Sequence, residues 1–103
     1  YVQTPNLDFD RIASLRSALP IPLVLHGCSD IPPEQLQESV RLGMSKFNIA
    51  TEYFRACYHG VVQHGDPAEK NGDMFRLMME TSGNAIDFVR GKMRLLNPNK
   101  FTF

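Results

Sequence analysis

The fold of this chain is decided by one short stretch, Leu23-Val24-Leu25-His26-Gly27-Cys28-Ser29-Asp30. It begins as a continuous apolar run between a proline and a glycine, which is typical of a strand buried on both faces in a parallel sheet. It ends in a turn of small and polar residues, with a histidine where the strand stops. A second stretch of the same design follows, Lys46-Phe47-Asn48-Ile49-Ala50-Thr51-Glu52.

Helical patterns lie before and between the two strands. Apolar spacing predicts a first helix over residues 9–19, with Asp8 as its N-cap. A second helix is predicted to start at about Pro32 and to stop at Gly43, because proline suits a first turn and glycine a helix end. The second strand is predicted over residues 47–50.

The rest of the chain is predicted to be helical. A third helix is expected over residues 52–64, capped by Thr51, and a last one over residues 73–96, interrupted or kinked at residues 82–84. Three side chains on these helices are expected in the core: Cys57, Met78 and Met79. The order helix, strand, helix, strand, helix, helix predicts an α/β fold with a parallel sheet.

Composition limits the classes of function. The 103 residues suit one small domain, and 11 basic residues balance 11 acidic ones. A neutral chain argues against a broad nucleic-acid or anionic-membrane surface. Two cysteines do not make a disulfide scaffold, and no apolar run reaches the roughly 20 residues of a membrane span. We therefore expect a reduced, cytoplasmic protein without nucleic-acid or membrane partners.

The two strand ends are the expected ligand site, because α/β folds bind ligands at the carboxyl ends of their strands. Gly27, Cys28 and Ser29 offer closely spaced backbone N–H groups and a hydroxyl. Asn48 and Thr51 offer an amide and a hydroxyl just before a helix N-terminus, which favours anions. Together these groups predict a phosphate site.

Local reasoning leaves alternatives open at single residues. His26 is either a buried histidine bonded to a neighbouring carbonyl or a metal ligand, and spacing alone favours the first because zinc needs three or four ligands. Cys28 is either a nucleophile or a packing residue, and packing is preferred because no histidine partner is placed beside it. His59 and His64 show no ligand-type spacing to His26.

Taken together, residues 23–32 and 42–52 resemble the C-terminal part of the class II, zinc-dependent ketose-bisphosphate aldolases, most closely the tagatose-bisphosphate aldolase branch. The lead-in over residues 5–11 is similar to the family's approach to its seventh strand. The resemblance implies a lyase of carbohydrate metabolism that cleaves a ketose (bis)phosphate to dihydroxyacetone phosphate and an aldehyde. Zinc would act as a Lewis acid on the ketone oxygen. A monovalent cation is a candidate second cofactor.

The resemblance assigns roles to individual residues. It makes His26 one of three histidine zinc ligands. It makes seven residues the dihydroxyacetone-phosphate site: Gly27, Cys28, Ser29, Asn48, Ile49, Ala50 and Thr51. It places no catalytic residue in this chain, because the family's aspartate proton donor lies upstream. The expected partners are a sugar phosphate and further copies of the chain in a homo-oligomer.

The resemblance also implies an architecture, the last two βα units of a TIM (β/α)8 barrel. Residues 1–20 would form a loop and helix, 21–50 two barrel strands with their connecting helix, and 51–103 the C-terminal helices. A barrel takes about 250 residues, so we expect the isolated chain to be inactive. It is expected to be either a segment of a longer enzyme or a non-catalytic, aldolase-derived module that binds phosphate or a partner.

Two positions depart from the family pattern. Cys28 stands where members usually have glycine or alanine, and its larger side chain could crowd the phosphate turn. Phe54 stands where many have an arginine or lysine that helps hold the second phosphate. Arg55 is one position off, which on a helix rotates a side chain by about 100°. The resemblance therefore supplies no obvious residue for a second phosphate.

Overall fold

A computed structural model of the chain describes residues 5–65 and 72–102. The predicted loop residues 1–4 and most of the loop predicted after His64 lie outside these ranges. Six elements follow one another in the described residues: α1 (Phe9–Ala18), β1 (Leu23–Leu25), α2 (Pro33–Arg41), β2 (Met44–Phe47), α3 (Thr51–His64) and α4 (Met74–Leu95). The predicted α/β order with a parallel sheet is confirmed.

The described residues form two compact units. The first unit comprises those of 1–50 together with those of 93–103, and it contains the sheet. The second comprises those of 51–92, which are helical wherever the structure describes them apart from short turns. No helix in the described part of the chain combines the length and the apolarity needed to cross a membrane.

Strands β1 and β2 pair in parallel, with Leu23 opposite Met44 and Leu25 opposite Phe47. The expectation of a second strand over residues 47–50 is wrong, because β2 covers Met44–Phe47. The reason is that the three residues of β1 determine where its partner can pair. Beyond the strands one more pair of bonds continues the contact: Asn48 N–H donates to the Leu25 carbonyl at 3.0 Å and Cys28 N–H to the Asn48 carbonyl at 3.1 Å.

The core of the first unit lies beneath the turn that follows β1. Cys28 and Leu36 are completely buried and Ile31 nearly so. Six partly buried side chains pack against these three: Leu7, Leu25, Phe47, Ile49, Leu95 and Leu96. Because β1, its turn and α2 all contribute to one cluster, the end of β1 is held by packing.

Helix ends follow the expected capping chemistry. The Asp8 carboxylate accepts a hydrogen bond from Arg11 N–H at 2.9 Å, so its predicted role as N-cap is confirmed. Helix α2 ends at Arg41, and Gly43 follows with a φ of +106°, which favours glycine. A Cβ at Gly43 would also lie 2.7 Å from the side chain of Arg16, so both backbone and space require glycine there.

In the second unit, α3 and α4 pack as an antiparallel pair. Glu52 near the start of α3 forms an ion pair with Lys92, with 2.6 Å between Oε2 and Nζ. Further along, Gly60 is buried, and a Cβ there would lie 3.1 Å from the Thr81 carbonyl oxygen. Gly60 therefore allows a close approach between the helix backbones.

The expected interruption of α4 and the expected core positions of Met78, Met79 and Cys57 are wrong, while a kink at residues 82–84 stays a prediction. Helix α4 runs without interruption through Ser82, whose hydroxyl donates to the Met79 carbonyl inside the helix at 2.7 Å. Met78 and Met79 are 63% and 60% exposed rather than core residues. Cys57 is only partly buried. The physical reason is that each helix of a two-helix pair buries one stripe, and the contact face here is formed by other residues, such as Gly60.

Candidate phosphate and metal site

The turn after β1 presents His26 to solvent. Gly27 has a φ of +64°, a left-handed conformation that favours glycine, and Asp30 has a φ of +62°. The chain thus reverses within a few residues and places Cys28 and Ser29 inside while His26 stays exposed. The interpretation of His26 as a buried histidine bonded to a carbonyl is therefore wrong.

His26 meets a side chain from the neighbouring strand end. The distance from Asn48 Nδ2 to His26 Nδ1 is 3.0 Å, although the two residues are 22 positions apart. The contact exists because parallel strands end at the same edge of the sheet, and each of these residues directly follows its strand. The sequence placed both residues at this edge but contained no signal for the direct contact between them.

This contact decides which nitrogen of His26 can bind a ligand. An amide nitrogen that donates to Nδ1 leaves the ring proton on Nε2. The oxygen and nitrogen of the amide are nearly equal in size, so the amide fits equally well with Oδ1 accepting a proton from Nδ1. Nε2 then has a free lone pair pointing away from Asn48, which is how metal-bound histidines are usually held.

Among the described residues, the backbone amide of Cys28 is hydrogen-bonded within the fold, unlike those of its two neighbours in the turn. The Cys28 amide is engaged with the Asn48 carbonyl, and the Cys28 thiol donates to the Leu25 carbonyl at 3.0 Å. Complete burial of this cysteine supports packing rather than a nucleophilic role. Within the described part of the chain, the amides of Gly27 and Ser29 have no hydrogen-bond partner. These two N–H groups are therefore the candidates for binding an anion at the turn.

The second strand end contributes less than the sequence predicted. Ile49 directs its side chain to the core, so only its backbone is available to a ligand. Ala50 is exposed, and Thr51 is the first residue of α3 in the second unit. On that helix, a side-chain hydrogen bond with Cys57 raises the pKa of Tyr53 above its ordinary value. Phe54 is 67% exposed.

One histidine does not complete a metal centre. Across residues 5–65 and 72–102, no three side chains of His, Cys, Asp or Glu come together as a metal site. His59 and His64 lie on α3, in the other unit from His26. The exposed His26 fits a metal as a single ligand, so a full site needs donors from beyond the described residues.

The sheet edge is formed by a parallel strand pair joined by a helix, and it carries an exposed histidine, an amide and two N–H groups that have no partner among residues 5–65 and 72–102. α/β enzymes bind ligands at edges of this kind. A comparison with protein-family models identifies the family of this chain. Residues 1–100 match the family model described as fructose-bisphosphate aldolase class-II, and the chain belongs to that family.

A solved structure supports the same conclusion. The chain is similar to the YdjI aldolase from Escherichia coli K12, whose crystal structure it matches with a TM-score of 0.81 and 28% identity. The match covers 93% of this chain and 36% of that one, so the chain spans just over a third of that enzyme's length. The predicted resemblance to class II aldolases is confirmed, while the tagatose-bisphosphate branch stays a prediction.

Proposed function

We propose that this chain contributes one edge of the active site of a zinc-dependent class II aldolase. The reaction would be reversible aldol cleavage of a ketose (bis)phosphate to dihydroxyacetone phosphate and an aldehyde. In that enzyme the chain would supply two βα units of a TIM barrel. The observation that carries the proposal is the 3.0 Å contact of His26 with Asn48 at the carboxyl ends of two parallel strands, in a chain of this family.

In this proposal His26 holds the metal through Nε2. Asn48 presents its amide oxygen to the Nδ1 proton, which fixes both the tautomer and the direction of the ring. When bound, zinc supplies Lewis-acid stabilisation of negative charge on the substrate. The family is generally zinc-dependent, and the remaining ligands would come from parts of the enzyme outside this chain.

The turn at residues 27–29 would hold the phosphate of the substrate. The amides of Gly27 and Ser29 are its donors, because neither has a described partner. Cys28 holds the backbone of the turn in place, because its own amide and thiol are both hydrogen-bonded within the fold. Cys28 therefore does not crowd the phosphate. The roles of Ile49, Ala50 and Thr51 rest on the resemblance alone.

The experiment is a chimera in which this chain replaces the segment of YdjI aldolase that it superposes on. We expect the chimera to catalyse aldol cleavage in an assay with the parent enzyme's substrate. His26→Ala should remove the activity, whereas His59→Ala, a matched loss of a histidine on α3, should leave it unchanged. Equal activity of the His26→Ala chimera would reject the proposed role.

The chain alone provides a second measurement that does not depend on the chimera folding. Purified protein should show no cleavage of fructose or tagatose bisphosphate. In NMR spectra, added dihydroxyacetone phosphate should shift the amides of Gly27 and Ser29. Phosphate binding without activity in a folded chimera would favour the alternative, a non-catalytic aldolase-derived module.

A further inference from the structure

The first unit contains a cavity that the proposed aldolase chemistry does not use. It lies between the later part of α2 and the turn that follows α4, and its volume is about 430 Å³. This volume falls in the range of small-molecule sites. Five of its lining side chains are cationic or carry an amide: Gln37, Arg41, Arg94, Asn97 and Lys100. We propose that this cavity, called here the basic groove, binds a small organic phosphate.

The charge of the basic groove is positive. Arg41 pairs with Glu38 at 3.2 Å, and both side chains are close to half exposed. Arg94 and Lys100 form no ion pair with any residue of 5–65 or 72–102. Arg41 and Arg94 stand in the last turns of their helices, where the helix dipole holds cations and offsets part of their charge. The unpaired Arg94 and Lys100 therefore provide the main attraction for an anion.

One wall of the basic groove is the turn at residues 97–101, which is held by hydrogen bonds. Asn97 holds the backbone of Phe101 at both polar atoms: its Nδ2 donates to the Phe101 carbonyl at 2.7 Å, and its Oδ1 accepts from the Phe101 amide at 2.9 Å. Lys100 N–H donates to the Asn97 carbonyl at 3.1 Å. Lys100 has a φ of +55°, a conformation that non-glycine residues rarely adopt. The turn thus holds Lys100 and Phe101 in place before any ligand binds.

The lining also indicates what kind of phosphate fits. Arginine side chains recognise phosphate through paired hydrogen bonds, and lysine adds a point charge. Pro98 and Phe101 add apolar residues to the lining, which favours a phosphate with an attached organic group over the bare ion. The basic groove is separate from the turn at residues 27–29, because Arg41 ends α2 whereas that turn precedes it. The nine residues of α2 span about 13 Å.

The test is an NMR titration of the protein with phenyl phosphate, and with inorganic phosphate and citrate as comparisons. We expect saturable binding of phenyl phosphate, tighter than that of the other two, with backbone amide shifts at residues 94–97 and 99–101. Arg94→Gln and Lys100→Gln should each weaken binding about tenfold, the loss expected for one charged hydrogen bond. Arg90→Gln removes an exposed arginine of α4 outside the groove and should change nothing.

Two outcomes would overturn the proposal. One is an equal loss of affinity in the Arg90→Gln control, which would indicate general attraction by positive charge. The other is the absence of amide shifts at residues 94–101, either because phenyl phosphate does not bind or because it shifts only the Gly27 and Ser29 amides. Shifts at the Gly27 and Ser29 amides report the proposed aldolase site separately, so the two proposals fail independently. Circular dichroism of each variant confirms that the fold is intact.

Discussion

The side-chain amide of Asn48 contacts Nδ1 of His26 at 3.0 Å, so the direction of this hydrogen bond sets the tautomer of the ring. With the amide oxygen toward Nδ1, the ring proton lies on Nδ1 and the Nε2 lone pair is free for a metal. With the amide nitrogen toward Nδ1, the hydrogen bond selects the tautomer that carries its proton on Nε2, which cannot bind a metal there. In the proposed metal site, the residue after β2 would therefore orient the residue after β1. This dependence extends over 22 residues of sequence and one parallel strand pair.

The first prediction concerns Asn48 itself, measured in the YdjI chimera by competition with a zinc chelator. Asn48→Leu removes the acceptor for the Nδ1 proton, so zinc affinity should fall by about 10- to 100-fold. Asn48→Asp keeps an acceptor and should retain most of the affinity. Asn99→Leu, at an exposed position in the turn after α4, is the control. A leucine variant with the affinity of the unmodified chimera would show that Asn48 does not orient the ring.

At the scale of elements, Gly60 decides how closely α3 and α4 approach. A Cβ there would lie 3.1 Å from the Thr81 carbonyl oxygen and 3.2 Å from the side chain of Asn84. The Thr81 oxygen belongs to helix backbone and cannot move alone. Close packing at one glycine and the ion pair of Glu52 with Lys92 therefore hold the pair together.

A pair of glycine substitutions tests this packing. Gly60→Ala should lower the free energy of unfolding by about 1–3 kcal/mol, because the added methyl group overpacks the helix contact. Gly83→Ala, with nothing within 4 Å of its Cβ, should raise it by about 0.5–1 kcal/mol through helix propensity alone. Urea unfolding of both variants measures the difference. Similar changes in the two would mean that the helices do not touch at Gly60.

The elements also show what a sequence can determine. The ends of β1 were predictable because Pro22 and Gly27 bound an apolar run on either side. The extent of β2 was not, because it depends on pairing with β1 rather than on its own residues. Likewise, the apolar spacing of α4 correctly predicted a helix but not its exposure. Periodicity identifies an apolar face without showing what covers it.

At the scale of the whole molecule, each unit leaves apolar surface exposed. In the second unit Phe75 and Phe54 are 75% and 67% exposed, and in the first Val24 of the two-stranded sheet is 42% exposed. Contiguous exposed apolar patches of several hundred Å² mark interaction surfaces in soluble proteins. The predicted homo-oligomer and the remainder of a barrel are both proposals for what covers them. A chain that spans 36% of its solved relative is compatible with either.

Only part of the candidate site could be predicted from the sequence. Residue order alone placed His26 and Asn48 at strand ends, and the resemblance named the family, which the match over residues 1–100 confirmed. The engaged Cys28 amide could not be predicted, because it is bonded to a carbonyl 20 positions later in the chain, beyond the reach of any local pattern. The proposed metal site would need further ligands from outside the described residues, and no pattern within the described residues identifies them.

The most direct test of the central claim is the zinc content of the folded chimera of this chain with YdjI aldolase, measured by atomic absorption after dialysis. If His26 is a metal ligand, the chimera retains about one zinc per protomer. The His26→Ala chimera then loses it, while the His59→Ala chimera keeps it. Retention of a full equivalent of zinc by a folded His26→Ala chimera would contradict the account.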